Sequence, residues 1–528
     1  MVEPGSWLLS HAERDNAHTT IDERYGDGRA WSSGNIAEPL VDGAAYFAAL
    51  HEAIEATKAG DLVFFTDWQG DASERLTGDA GTEVVEVLAS ARERGVDVRG
   101  LVWRSHGDQV GFFAAANRHL GEQLHRRGVA VMLDMRVRPG GSHHQKFVVI
   151  RHADDPARDV AFIGGIDLAR NRRDDHTHAG DPQGRELTPE YGAHAPWHDV
   201  QVRLQGPVVH DVETVFRERW ADPSALSRAP WRRAIDAVRR VDTTPAPLQP
   251  QAPAPPEVGH HTVQLLLTYP DLGWGRSYPF APRGERSVAR GYRKAIGNAE
   301  SLVYVEDQYF WGHGVAEIFG AQLRRNPGLR LLVVIPLHPD VVGLNRSAQT
   351  LGRHQAIDTL RKIAPGRVAA YGLENRESRP VYVHAKVSII DDQWASTGSD
   401  NFNRRSWTHD SELTAAVLDA DYARDLRLRL AAEHLDRLDL LDDDHGDLAE
   451  VMADCVDPHA MFDRYAEQAE ALEAWHRGGR RGPRPDGRLR HLPPFDLSRL
   501  RRPVATVLLD RIHNPDGRPR ELRDTTLL

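Results

Sequence analysis

The sequence predicts an α/β protein that is built from two similar halves. A His-x-Lys phrase occurs twice, at 144–146 and at 384–386, and each phrase leads into an apolar run and then a glycine turn with a polar residue. Helix and strand patterns alternate in the same order before each phrase. Such alternation favours largely parallel or mixed sheets covered by helices. We therefore expect two α/β halves with mixed central sheets, packed face to face, with the two phrases meeting at the interface.

The individual elements follow from the spacing of apolar residues. In the first half the pattern predicts a helix over 46–58, a strand over 62–65, a helix over 82–94 and a strand over 96–103. In the second half the same order predicts a helix over 288–299, a strand over 302–305, a helix over 315–325 and a strand over 329–335. The repeated order indicates a duplication.

The domain organisation is read from composition. Residues 1–242 form the expected first half and residues 259–440 the second, and the proline-rich segment 243–258 between them cannot sustain helix or ladder hydrogen bonds. Residues 441–528 are expected to hold a helix over 448–476, an exposed linker over 477–494 and a short strand or helix over 503–509. We assign this tail no chemistry.

The two phrases carry the residue types that phosphodiester chemistry needs. On an extended strand, residues two apart project to the same side, so each phrase presents one histidine beside one lysine, while His143 faces away and is read as structural. A phosphodiester repels anionic nucleophiles, so its cleavage needs a neutral nucleophile, cations for the phosphate oxygens and an acid for the leaving group. Histidine suits both proton roles because its ordinary pKa lies near 6.5.

Several ordered phrases resemble the phospholipase D superfamily, and within it the larger two-motif members rather than the small single-motif nucleases. They cover roughly residues 40–425 and read FIGGIDL at 162–168, PWHDV at 196–200, YVEDQYF at 304–310, GSDNFNRRS at 398–406 and DSEL at 410–413. One position departs from the pattern, because Arg151 stands where the first motif of the family has Asp.

The resemblance implies a role for each site residue. His144 would be the nucleophile, and His384 would be the acid that protonates the departing alcohol and then activates water. Lys146 and Lys386 would clamp the phosphate oxygens, helped by two turn residues, Asp167 and Asn401.

The resemblance also implies an exchange of carboxylates between the halves. Glu412 would orient His144, and Asp199 would orient His384. The two lysines supply the positive charge at the phosphate, so we expect neither a metal nor a cofactor.

Arg151 leaves two interpretations open. If the family's Asp supports local structure at the end of the strand, its replacement is tolerated, and Asp154, Asp155 or Asp159 could take its place. If Arg151 instead contacts the substrate, its guanidinium suits bidentate phosphate recognition. Alternation from His144 places position 151 on the other face of the strand, which favours the structural interpretation.

Composition and charge limit the classes of partner that we expect. The net charge of −11 argues against a nucleic-acid partner, and no apolar run reaches the roughly 20 residues that cross a bilayer. No signal peptide is visible at the N-terminus, so a cytoplasmic location is expected. We also expect a monomer that contacts membranes peripherally. The single Cys455 is read as a buried hydrophobe.

Two further patterns are weaker indications of function. The tract 170–178 mixes histidines and carboxylates with arginines, and it is read as a solvated loop rather than a metal site. Aromatic residues at predicted strand ends either line an acyl-chain entrance or close the core: Trp68, Trp103, Tyr309, Phe310 and Trp311.

The sequence therefore predicts a metal-independent phospholipase D-type phosphodiesterase. It would cleave the bond between phosphate and head-group alcohol of a glycerophospholipid through a phosphohistidine, with possible transfer to another alcohol. The alternatives are a phosphodiesterase acting on nucleic acid or a soluble diester, and a catalytically silent lipid-binding scaffold. The sequence does not name the head group.

Overall fold

The structure is a computed structural model that describes residues 2–107, 113–227, 229–238, 243–273, 275–441 and 448–523. The predicted boundary at residue 242 lies outside the described residues.

The first half alternates strands and helices as predicted, and four of its elements match the predicted ones within a few residues. Its elements are α1 (Pro4–Trp7), α2 (His11–Arg14), β1 (Ser32–Val41), α3 (Gly43–Glu55), β2 (Leu62–Asp67), α4 (Val84–Glu93), β3 (Asp97–Trp103), α5 (Ala114–Arg126), β4 (Ala130–Asp134), β5 (Phe147–Arg151), β6 (Val160–Gly164), β7 (Trp197–His198), β8 (Val200–Gln205), α6 (Val208–Trp220) and α7 (Pro230–Val238).

The second half repeats the same order. Its elements are β9 (His261–Tyr269), β10 (Glu285–Arg286), α8 (Ser287–Gly297), β11 (Leu302–Glu306), α9 (His313–Arg325), β12 (Arg330–Val334), α10 (Gly343–Ile363), β13 (Val368–Glu374), β14 (Pro380–Val383), β15 (Val387–Ile390), β16 (Trp394–Gly398), α11 (Arg404–Thr408), β17 (Glu412–Leu418) and α12 (Ala420–His434).

The two central sheets have the same strand order, which establishes the duplication. The first sheet runs β1-β8-β6-β5-β2-β3-β4, with β2, β3 and β4 parallel and the other pairings antiparallel. The second runs β9-β17-β16-β15-β11-β12-β13, with the corresponding three strands parallel. Both are the mixed sheets that the sequence predicted.

The halves pack face to face over a shared core. One apolar cluster contains Val149 and Val202 from the first sheet together with Leu265, Leu267 and Val417 from the second. Each sheet buries its other face under its own helices, as where Phe47 of α3 meets Val63 of β2. Strand pairing also crosses the interface, because β1 is antiparallel to β9 and β7 is parallel to β14.

The proline-rich segment between the halves has no helix or strand, but it lies on the first half. The carbonyl oxygen of Ala246 accepts hydrogen bonds from Arg99 and Trp220, and that of Pro253 accepts one from Arg151. The segment is therefore anchored along its length.

The tail differs from its prediction in two places. The predicted helix 448–476 is interrupted, because α13 (Leu448–Val451) ends and α14 (Pro458–Arg477) begins anew with Asp457 as its N-cap and proline in its first turn. The exposed linker predicted for 477–494 is wrong for β18 (Leu489–His491), which pairs antiparallel with β13. The segment after it forms α15 (Arg502–Leu508). Across the described ranges, no helix combines the length and the apolar composition that spanning a bilayer requires.

Candidate active site

The two His-x-Lys phrases lie at matching places, immediately before β5 and β15. The prediction that they open these strands is wrong in detail, because the strands begin one residue after each lysine, at Phe147 and Val387. Lys146 Nζ still turns back to donate to the carbonyl oxygen of His144 at 2.9 Å, and Lys386 donates to the carbonyl oxygen of His384 in the same way. Each lysine therefore lies beside its own histidine.

Each histidine takes its carboxylate partner from the other half. His144 Nδ1 lies 2.9 Å from Glu412 Oε2, and His384 Nδ1 lies 2.6 Å from Asp199 Oδ2. A carboxylate that accepts a hydrogen bond from Nδ1–H fixes the ring and leaves the Nε2 lone pair for chemistry. The two halves thus share one site, because each histidine–carboxylate pair takes one member from each half.

Backbone hydrogen bonds across the interface hold these exchanged pairs. The amide of His144 donates to the carbonyl of Ser411 at 2.9 Å, and the amide of His384 donates to that of His198 at 2.7 Å. Each histidine backbone is therefore bonded to the residue that precedes its partner carboxylate. This arrangement ties the site geometry to the packing of the halves.

The turns after β6 and β16 support the two carboxylates differently. Ser399 Oγ donates to Glu412 Oε2 at 2.6 Å. At the equivalent place Gly165 has no side chain, and a Cβ there would lie 2.2 Å from Asp199 Oδ1. Asp199 Oδ1 instead accepts from the amide of Val200 at 2.9 Å. The serine is a site residue that the sequence analysis missed.

The polar turn residues also differ between the halves. Asp167 is buried, lies 3.7 Å from Lys146 Nζ and accepts from the amide of Gln69 at 3.0 Å and from Arg172 at 3.3 Å. Asn401 is also buried, and its Oδ1 has no hydrogen-bond partner among the described residues. Asp167 is thus held in a charge network, whereas Asn401 keeps an unused acceptor.

Burial and positive charge keep both histidines neutral in the protein alone. Desolvation, with Lys146 and Lys386 nearby, holds the pKa of His144 well below its usual value. Desolvation, with Lys386 and then Arg172, does the same to the pKa of His384. Neutral imidazole is the form that can attack phosphorus, so the site favours a nucleophilic role for one ring.

Burial also shifts the pKa values of the carboxylates and of one lysine that surround the two histidines. Burial and the nearby Asp410 raise the pKa of Glu412 to about 8, and burial raises that of Asp199. Burial, with the positive charge of Lys146, lowers the pKa of Lys386 to about 8. An anionic phosphate would favour the charged forms of the lysines and histidines, since opposite charges at short range stabilise each other.

Aromatic residues wall the site, and several of them close the core as well. The Trp68 ring lies edge-on to His144 with centroids 5.6 Å apart, and Lys146 Nζ lies 5.5 Å from its centroid. Trp103 stacks behind Trp68. Phe310 and Trp311 are buried, so they close the core rather than line an entrance.

The tract 170–178 is not the solvated loop that the sequence predicted. Asn171, Arg172, Asp174 and His178 are buried, and Arg172 reaches both Asp167 and the face of Trp197. Arg172 is a cation of the site that sequence reasoning missed. The surrounding charges gave no signal of which arginine turns inward.

A buried network of histidines and carboxylates lies behind Asp199. His198 Nδ1 lies 2.9 Å from Glu433 and 3.1 Å from Asp42, and its Nε2 lies 2.7 Å from Glu306. His178 and His434 complete two groups whose atoms could surround a cation. Against the cost of burial, the charges of Glu306 and Glu433 hold the pKa of His198 well above its usual value. Its two N–H groups account for these contacts as hydrogen bonds, and we assign the network a structural role.

Two further residues lie as the sequence indicated. His143 is buried and contacts Gln145, with 3.1 Å between Nε2 and Oε1, and Cys455 is a buried free thiol. Arg151 points away from the site, into ion pairs with Asp159 and Glu213 at 2.5 Å each. This geometry favours its structural interpretation.

The fold and the site together define a class of duplicated α/β proteins in which two halves exchange the partners of their histidines. Comparison with known families gives the same result. The family model described as "Phospholipase D" matches residues 57–266, and the one described as "Cardiolipin synthase, PLD-like domain" matches residues 292–432. The chain belongs to the phospholipase D superfamily.

Individual relatives show how far the likeness extends. Phospholipase D alpha 1 of Arabidopsis thaliana is 24% identical over 482 residues, which cover 68% of this chain and 58% of that protein. Phospholipase D1 of Saccharomyces cerevisiae is 24% identical over 511 residues, 78% of this chain and 29% of that protein. The chain thus spans little more than half the length of the plant relative.

A solved structure shares the fold. The phosphatidylserine synthase of Haemophilus influenzae Rd KW20 superposes with a TM-score of 0.50 at 14% identity, covering 82% of this chain and 93% of that one. At this identity the likeness concerns the fold alone.

Proposed function

We propose that the protein is a phospholipase D-type phosphodiesterase that hydrolyses glycerophospholipids to phosphatidic acid and a head-group alcohol. The exchange of carboxylates between the halves carries the proposal, because it turns two histidines and two lysines into one site. One neutral ring with an oriented Nε2 lone pair, a second ring that supplies a proton to the leaving group, and two cations are what a metal-independent displacement at phosphorus requires.

In the first step His144 Nε2 attacks phosphorus. The bond from phosphorus to the head-group oxygen breaks, and that oxygen takes a proton from His384. Glu412 stabilises the positive charge that develops on His144, since its Oε2 lies 2.9 Å from Nδ1. Lys146 and Lys386 hold the non-bridging oxygens, helped by Asn401, whose Oδ1 has no hydrogen-bond partner among the described residues.

In the second step water replaces the enzyme nitrogen. Neutral His384 takes a proton from water while the water oxygen attacks phosphorus, and the bond from phosphorus to His144 Nε2 breaks. His384 has to be protonated for the first step, although burial and the nearby Lys386 hold its pKa well below the usual value in the protein alone. The negative charge of the bound diester supplies the compensation, since an adjacent anion raises the pKa of an imidazole.

A panel of substrates tests the proposal. Phosphatidylcholine, phosphatidylethanolamine and single-stranded DNA are incubated with the protein, and released head-group alcohol, phosphatidic acid and nucleotides are measured. We expect phosphatidic acid from at least one lipid and a phosphatidyl alcohol when a primary alcohol is added, because a covalent intermediate can be captured by either acceptor. Cleavage of DNA alone, or no turnover on any diester, would contradict the proposal.

A further inference from the structure

Helix α7 exposes its apolar residues and buries its acidic residue. Its acidic residue Asp236 is buried and forms two 2.6 Å hydrogen bonds with Arg104, whereas the apolar side chains of Trp231, Ile235 and Val238 face solvent. Trp231 is 61% exposed and Val238 is 83% exposed. These positions are four and three residues apart, so they form one stripe, and Trp231 and Ile235 line an open groove between α7 and α5. A helix normally buries its apolar stripe, and α7 buries a salt bridge instead.

The helix is connected through residues 105 and 106 to the segment that precedes His144. Arg232 of α7 donates to the carbonyl of Ser105 at 3.3 Å, and the adjacent His106 has its Nε2 3.1 Å from the carbonyl oxygen of Gly141. Gly141 is three residues before His144. The apolar stripe of α7 therefore borders the loop that presents one of the two site histidines.

The C-terminal segment exposes a second set of apolar side chains on the other side of the same loop. Arg405 connects the two, because it donates to the carbonyl of Gly140 at 2.7 Å and to that of Ile512 at 2.9 Å. Ile512 is exposed, and so are three further large apolar residues of the segment: Leu500, Val504 and Val507.

A third set begins α10. Val342 and Leu344 are exposed there, and the next residue, Asn345, lies 3.2 Å from His513 of the C-terminal segment. Thirteen large apolar residues are exposed in the described ranges, and nine belong to these places: three on α7, two at the start of α10 and four on the C-terminal segment. Exposed apolar surface is thus concentrated at three places that these contacts link to the segment before His144, and such a concentration marks an interaction site.

The charges beside this surface are positive. Residues 498–513 carry four arginines and one aspartate, in a chain whose net charge is −11. On α7 Arg232 and Arg233 flank the stripe, while Asp236 is neutralised by Arg104. Tryptophan and aliphatic residues flanked by arginine are typical of helices that lie in the interface of an anionic lipid layer.

We propose that α7, the start of α10 and residues 500–512 form a lipid-docking surface that seats the active-site entrance on a phospholipid layer containing anionic lipids. The inference rests on the proposed function, because a lipid substrate gives the docking its purpose. Insertion of the apolar side chains among the acyl chains would supply burial, and the arginines would pair with lipid phosphates. Substrate would then reach His144 and His384 without crossing water.

Vesicle binding of the full chain tests the surface independently of turnover. The binding background is His144→Ala, so that lipid composition stays constant, and the vesicles contain phosphatidylcholine with or without phosphatidylglycerol. One variant carries Trp231→Ser, Ile235→Ser and Val238→Ser, and another carries Val504→Ser, Val507→Ser and Ile512→Ser. The matched control changes Leu440 and Val456 to serine, which are equally exposed but lie outside the surface.

Each docking variant should bind mixed vesicles at least about tenfold more weakly, because three apolar insertions are lost, while the control binds like the parent. With His144 restored, vesicle turnover should fall in parallel, and turnover of dispersed short-chain phosphatidylcholine should stay within about twofold of the parent. Equal vesicle binding by parent, docking variants and control would overturn the docking surface. So would a parent that sediments as a dimer, with docking variants that become monomers and keep vesicle binding.

The two proposals fail separately. If vesicles bind through this surface but no lipid or dispersed substrate is cleaved by the chain with intact His144, the docking surface stands and the proposed function falls. If dispersed lipid is cleaved and the docking variants bind vesicles normally, the proposed function stands and the docking surface falls.

Discussion

Arg151 and Asp391 occupy equivalent positions at the ends of β5 and β15 and carry opposite charges. Asp391 accepts hydrogen bonds from the amides of Glu300, Ser301 and Leu302, which closes the turn before β11. In the first half the carboxylate belongs to the turn before β2 rather than to the end of β5. Asp61 precedes β2 and accepts from the amides of Lys58 and Ala153 at 2.9 Å each. Carboxylates at this strand end thus come from Asp61 of the facing turn and from Asp159, whose Oδ1 accepts from the amide of His152 at 2.6 Å.

Replacement of Arg151 should therefore affect stability rather than chemistry. Arg151→Met leaves the buried Asp159 without its cation and leaves Glu213 with Arg217 alone, so we expect the free energy of unfolding to fall by about 3–5 kcal/mol. The value of kcat/KM, measured where the variant is folded, should stay within about tenfold of the parent, or about 1.4 kcal/mol in barrier. Denaturant unfolding and steady-state kinetics measure the two effects.

An exposed ion pair on the same sheet is the control. Arg203→Met on β8 removes a pair with Glu38 that lies at the surface, and it should cost less than about 1 kcal/mol. A hundredfold kinetic loss in Arg151→Met with normal unfolding would show that Arg151 contacts the substrate.

Lys386 gives the site a predictable dependence on pH. Burial, with Lys146 nearby, lowers its pKa to about 8, so the cation is present below that pH and is lost above it. The profile of kcat/KM reports the free enzyme, and it should fall as pH rises through about 8. The bound phosphate favours the charged lysine, so the corresponding fall in kcat should appear at higher pH. Initial rates on a dispersed substrate, measured at a series of pH values and substrate concentrations, would give both profiles. A kcat/KM that stays flat to pH 10 would contradict the role of Lys386 as a phosphate-binding cation.

At the scale of elements, the turns after β6 and β16 decide how each carboxylate is held. The turn after β16 uses the hydroxyl of Ser399, whereas the turn after β6 has a glycine against Asp199. In both turns the polar residue, Asp167 or Asn401, lies three residues after the glycine that ends the strand. The carboxylates that they support reach opposite histidines, so a change in one turn should disturb one histidine only.

Gly165→Ala tests this coupling. The added methyl group would lie 2.2 Å from Asp199 Oδ1, so the carboxylate has to move and His384 loses its orientation. We expect kcat/KM to fall by about a hundredfold, because small displacements of catalytic groups cost that much. Gly297→Ala at the end of α8 is the control, since its added methyl group meets nothing within 4 Å. Kinetics of the variant like those of the control would mean that Asp199 is not held by this packing.

The elements also show where sequence reasoning is strong. The helices near 46–58 and 82–94 and their second-half counterparts were predictable, because each has an apolar face at helical spacing that packs on a sheet. β18 was not predictable, because three residues between arginines and prolines become a strand only by pairing with β13. Such a strand is defined by its partner and not by its own pattern.

At the scale of the molecule, the site exists only because the halves pack face to face. The two motifs and their glycine turns could be read from the sequence, and the family resemblance supplied the expected carboxylate exchange. Spacing alone could not place Arg172 or Ser399, because their roles depend on which side chains turn inward after packing. The buried network around His198 was hidden for the same reason, since Asp42, Glu306 and Glu433 come from distant parts of the chain.

The chemical step should not depend on a metal ion. Lys146, Lys386 and Arg172 already supply positive charge at the site, and the contacts of His198 are those of an imidazolium with its carboxylates. EDTA should therefore leave the initial rate on a dispersed short-chain lipid within about twofold of the untreated rate, since chelation removes no group that binds phosphate. Loss of activity in EDTA that a divalent cation restores would assign the network around His198 to a metal after all.

The central claim is that the halves form one site in which His144 is the nucleophile and His384 the acid. His384→Asn removes the group that activates water, so a diester with an activated leaving group should still form the first intermediate but hydrolyse it slowly. The direct measurement is mass spectrometry of peptides from this variant after reaction with such a diester. We predict an acid-labile phosphoryl group on His144; a phosphoryl group on another residue, or a His144→Ala variant that still turns over, would contradict this assignment.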